Sequence, residues 1–110
     1  MSRATNAFFN RQDARRIRGF LRDDRSTRQL VMVVGRLHLN IQPPTLRNPR
    51  ATLWCYYMGD EPPTTAHLAG IRQLLQENGS DVVRGQNAVK YGQQHGYIFT
   101  WLPNPPTDRR

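Results

Sequence analysis

The sequence predicts an α+β domain: a small, mostly antiparallel sheet of three to four strands with two helices, in the order α-β-β-α-(β)-β. Three observations predict it. Two segments repeat apolar residues at helical spacing. Three others run apolar or alternate as strands do. The first two strand segments are joined only by residues 43–50, too few for a parallel crossover.

The first helix is expected over residues 11–22. Asn10 can cap it, and Asp13 stands where a capping-box acid would. Phe9, just before the cap, could close a hydrophobic staple onto Ala14. Ala14, Ile17, Phe20 and Leu21 form a narrow apolar stripe. Arg11, Arg15, Arg18 and Arg22 recur at i, i+4, i+7 and i+11, a ridge roughly 16 Å long. Asp23 and Asp24, unfavourable at the negative end of a helix dipole, mark the stop.

Residues 29–42 read as one long strand. Leu30 to Val34 is continuously apolar, and beyond it Leu37, Leu39 and Ile41 alternate with Arg36, His38, Asn40 and Gln42. Gly35 between the two patterns suggests a bulge or bend, and Pro43-Pro44 ends the run. Residues 51–58 make a second strand, with Trp54, Tyr56 and Met58 on one face and Leu53, Cys55 and Tyr57 on the other. Both faces are bulky, which predicts a central position.

The second helix, over residues 66–78, has the clearest punctuation in the chain. Thr64 or Thr65 caps it, Leu68, Ile71, Leu74 and Leu75 make its buried stripe, and Asn78-Gly79 stops it. Residues 80–94 are ambiguous: Asp81-Val82-Val83 could be a short strand and residues 88–91 another. Residues 96–102 form the last strand, with Tyr97, Phe99 and Trp101 facing one way and Ile98, Thr100 and Leu102 the other. The organisation expected is a basic arm and amphipathic helix over 1–28, a globular core over 29–102, and a disordered proline- and arginine-containing tail over 103–110.

A chain of 110 residues is the size of one domain. No apolar run is long enough for a membrane span. The N-terminus lacks the apolar stretch of a secretory signal, and Asp13, Asp23 and Asp24 weigh against a mitochondrial presequence. Cys55, the single cysteine, permits no internal disulfide. These features lead us to expect an intracellular protein, cytoplasmic or nuclear, that is not secreted.

Charge is the strongest functional signal. Sixteen basic residues against eight acidic give a formal +8, and Lys90 is the only lysine among the sixteen. Arginine pairs with phosphate through a planar fork of N–H donors and stacks on bases, which suits a polyanionic partner. A genome rich in GC would write the same arginines for any surface cation, so the net charge weighs more than the choice of residue. An arginine-rich helix can lie in a nucleic-acid groove, and four like charges on one ridge with only Asp13 to offset them are unusual for a purely structural face. The expected contacts are Arg11, Arg15, Arg18, Arg22, Arg25, Arg28, Arg47 and Arg50, with RNA favoured over DNA.

Other chemistry is weaker. The aromatics of the strands, Trp54, Tyr56, Tyr57, Tyr97, Phe99 and Trp101, read first as core filling and only second as stacking platforms. His38, His67 and His95 could meet as a metal-independent nuclease, but no motif accompanies them. One cysteine and three histidines lack the paired spacings of a zinc site. Asp60-Glu61 read as turn residues, and Cys55 as an inert buried thiol. No P-loop, dinucleotide fingerprint, nucleophile elbow or RNA-recognition signature occurs. The expectation is a non-enzymatic nucleic-acid-binding protein with no catalytic residues, cofactor or metal. The alternative is a small accessory or inhibitory interaction module, such as a viral or mobile-element factor, docking on an acidic protein. Either version could be a homodimer, because the edges of a small sheet invite pairing.

Overall fold

The computed structural model describes residues 6–22, 28–59, 61–79, 84–90 and 94–103. Its elements are α1 (Arg11–Leu21), β1 (Leu30–Val34), β2 (Leu37–Gln42), β3 (Ala51–Tyr57), α2 (Thr65–Glu77), β4 (Arg84–Lys90) and β5 (Gln94–Trp101). The strands form one five-stranded sheet in the order β1-β2-β3-β5-β4, antiparallel at every pairing. The class is the α+β arrangement that the patterning predicts, with more strands.

The additional strands have local causes. Residues 29–42 are not one strand but a hairpin, folded so that Val34 pairs with Leu37. Gly35 takes φ 58 in the two-residue turn, a conformation that costs glycine nothing and matches the twist of a tight hairpin. Within 80–94, residues 84–90 form a single strand along β5. The alternative strand at Asp81-Val82-Val83 and the end of the one at 88–91 lie outside the described residues, as does the tail beyond Pro103.

Both helices start where their caps place them. The Asn10 side chain accepts from the backbone N–H of Asp13 at 2.7 Å, and Thr64 accepts from that of His67 at 3.2 Å. Such caps stabilise a helix by about 1 kcal/mol each. The helices run side by side in the same direction. At their beginnings Asn6 donates to the carbonyl of Gly70 and Phe9 stacks on His67; at their ends Arg18 pairs with Glu77 and Asn78 reaches the carbonyl of Leu21. The Phe9 ring therefore lies against α2.

The helices cover one face of the sheet. Ala14, Ile17 and Leu21 from α1 and Ile71, Leu74 and Leu75 from α2 are fully buried, and they share a core with Leu37, Leu39, Ile41, Leu53, Cys55, Tyr57, Phe99 and Trp101. Each large aliphatic so buried contributes roughly 1.5–3 kcal/mol. The opposite face carries Val31, Val33, His38, Asn40, Trp54, Tyr56, Ile98, Thr100, Arg84, Gln86 and Lys90 by strand alternation. No helix among the described residues lies on it.

Candidate nucleic-acid interface

Of the four arginines on the α1 ridge, Arg11, Arg15 and Arg22 point into solvent and have no ion-pair partner among the described residues. Arg18 is different. Its Nε and Nη2 reach Glu77 Oε1 at 3.2 and 3.0 Å, with both side chains mostly shielded. It sits beside the buried stripe, so the ridge leans over the seam with α2 and one of its cations ties the helices together. Arg16, absent from the sequence reading of the ridge, is exposed on the other flank and reaches toward the Val33 carbonyl at 3.5 Å.

Arg25 lies outside the described residues, and Arg28 is exposed just before β1. Arg47 and Arg50 are exposed on the loop between β2 and β3. That loop holds its own shape: Thr45 N–H donates to the Asn48 carbonyl, Asn48 N–H to Thr45 Oγ1, and Arg50 N–H to Asn48 Oδ1. The structure thus spreads the expected contacts that it describes over three places, α1, the segment before β1 and the β2–β3 loop.

The uncovered sheet face holds residues that the sequence reading set aside. Tyr56 stands between two near-parallel rings, His38 at 5.0 Å across the strand pair and Trp54 at 5.7 Å along β3. The Trp54 indole lies across β5, where a Cβ on Gly96 would fall 2.3 Å from the ring. The Lys90 ammonium sits 5.1 Å from the centre of that indole. Trp54 is only 3% exposed, yet its N–H finds no acceptor among the described residues. A buried donor left unmet costs about 1–3 kcal/mol.

At the far end of this face, Arg50 and Arg84 line a cavity of about 210 Å³ together with Gln86, Ile98 and Thr100. Neither arginine has an acidic partner among the described residues. The whole sheet shares this bias. No aspartate or glutamate occurs in any of the five strands. Among the described residues Glu77 pairs with Arg18 and Glu61 with Arg36. Residues 29–59 and 84–107 contain no acid at all, a signal visible in the sequence that would have singled out the sheet. Arg84 and Lys90 were missed because their strand has little strand propensity of its own.

The histidines do not assemble. His38 is on the uncovered face, whereas His67 is on α2 behind the other, where its Nδ1 lies 2.6 Å from the Tyr57 hydroxyl. Tyr57 Oη in turn accepts from Thr64 N–H at 3.1 Å. Burial, and then the charge of Arg36, lower the pKa of His67 below its ordinary value. Cys55 is fully buried, which pushes its thiol pKa far up and keeps it protonated. Among the described residues no cluster of His, Cys, Asp and Glu could hold a metal ion, and no helix is long and apolar enough to cross a membrane. No family model, curated protein or solved structure matches the chain.

Proposed function

We propose that the protein binds nucleic acid, RNA in preference to DNA, through phosphate contacts from exposed arginines. The observation that carries this reading is the segregation of charge. Among the described residues Arg11, Arg15, Arg22, Arg47, Arg50 and Arg84 stand exposed without a paired acid, while Glu61 and Glu77 are taken up by Arg36 and Arg18. Each phosphate so contacted releases condensed counterions, which gives affinity with little base preference.

Fluorescence anisotropy with short RNA and DNA across a salt series tests it. Submicromolar binding that weakens with a log–log slope of several units is expected. Reversing the charge of Arg11, Arg15 and Arg22 together should weaken binding to all sequences alike and flatten the slope by about one unit per lost contact. No binding even at low salt would sink the reading.

A second reading, docking on an acidic protein, is favoured by the exposed apolar residues of edge strand β1. Val31 is 70% and Val33 48% exposed, on the strand that ends the sheet order among the described residues. Partners that survive nuclease treatment of a pull-down would support it.

A further inference from the structure

We propose that the uncovered sheet face is a docking surface for single-stranded nucleic acid, with unstacked bases extending the ring run Trp54–Tyr56–His38 and phosphates held at its two ends. The inference rests on the nucleic-acid reading above and adds which surface is used and which form of the ligand it takes.

The first argument is charge complementarity. The face is bounded by cations, Lys90 at one end of β4 and Arg84 with Arg50 at the other, and it contains no acid. β4 spans roughly 20 Å at strand rise, so a backbone of several nucleotides reaches from one cationic end to the other. Arg50, Arg84, Gln86 and Thr100 line one cavity, residue types whose side chains supply donors suited to phosphate oxygens.

The second argument is the ring run. Its stacking order ends at His38 on β2, and the next cross-strand neighbour is Val33 on β1. Val33 and Val31 make an apolar floor beside the last ring that nothing else in the described structure covers. A base set there continues the stack over that floor and removes the valines from water. Bases in a duplex have their faces occupied by their neighbours, so this surface selects unpaired strands.

The test uses fluorescein-labelled twelve-nucleotide probes, ribo and deoxyribo, each single-stranded and as a duplex, against the whole protein and the variants Tyr56→Leu and Lys90→Gln. Tyr56→Leu keeps an apolar strand residue and Lys90→Gln changes a half-buried side chain of edge strand β4; both are checked by circular dichroism, and the second guards against a folding failure of the first. Both should weaken single-strand binding, Tyr56→Leu by about tenfold, while duplex affinity stays within about twofold because phosphate contacts remain. The ribo and deoxyribo arms show which backbone the face prefers. Equal losses for single strand and duplex, or no loss in either variant, would overturn the inference. Duplex binding without single-strand binding would overturn it while leaving the phosphate reading intact; failure of every probe would remove both. Sedimentation showing a dimer that Val31→Asp dissociates would give the face to a second copy of the chain and overturn the proposal.

Discussion

Replacing Gly96 with alanine tests the placement of Trp54 directly. The added Cβ would stand 2.3 Å from the indole Cη2 and 2.6 Å from the carbonyl oxygen of Cys55, against the 3.4 Å or more of an ordinary contact. The ring can slide; the carbonyl belongs to the central strand and cannot move without its neighbours. Overpacking of this kind costs about 3 kcal/mol, offset by less than about 1 kcal/mol from the reduced freedom of the unfolded chain. A net loss near 2 kcal/mol lowers Tm by roughly 8 °C in a domain of this size. Thermal unfolding followed by circular dichroism reads it, with urea unfolding as the isothermal check. Combining Gly96→Ala with Trp54→Leu removes the ring and leaves the carbonyl contact, so the two changes should couple by about 1 kcal/mol. A Gly96→Ala protein melting within about 2 °C of the parent would refute the close approach of Gly96 to the Cys55 carbonyl, and additivity with Trp54→Leu would refute the placement of the indole across β5.

Three other outcomes are expected. Arg18→Gln should destabilise the fold by about 1 kcal/mol, discounted for the partial exposure of its pair with Glu77, while weakening nucleic-acid binding less than Arg15→Gln does; the reverse ordering in anisotropy and urea unfolding would assign Arg18 to the ligand. Because the folded state lowers the His67 pKa, the unfolded chain takes up the proton first. That stability is complete above the ordinary histidine value and is lost as pH falls through the lowered one. Urea midpoints measured from pH 8 to pH 5 should therefore drop on the acid side in the parent and drop less in His67→Gln. Asn10→Ala removes the acceptor of the 2.7 Å bond from Asp13 N–H and should cost about 1 kcal/mol, seen as a lower urea midpoint at unchanged slope.

The helices were legible in the sequence because their signals are local. Asn10 and Thr64 cap over three residues, and Ile71, Leu74 and Leu75 repeat at helical spacing within α2. The β1–β2 hairpin was not, because Gly35-Arg36 lacks the Asn-Gly or Asp-Gly signature of a tight turn and the apolar run before it continues the pattern after it. β4 was hidden for another reason. Arg84–Lys90 contains a single β-branched residue, Val89, and its extended form is set by pairing with β5. The same distinction governs the candidate site. The spacing of Arg11, Arg15 and Arg22 is visible in one segment, but the diversion of Arg18 depends on Glu77, fifty-nine residues away. The ring run joins His38 to Tyr56 only through strand register, which no local pattern carries.

Cys55 gives the molecule a built-in gauge of its own opening. It is the chain's single thiol, fully buried at the middle of the central strand and held in its protonated, unreactive form. A water-soluble thiol reagent can reach it only when the sheet separates, so the labelling rate in the native protein, divided by that of the unfolded chain, equals the equilibrium constant for that opening when reclosure is fast. The protein therefore reports its conformational free energy under native conditions, without denaturant and without an engineered cysteine. A bound oligonucleotide should slow the labelling by the factor with which it stabilises the closed form.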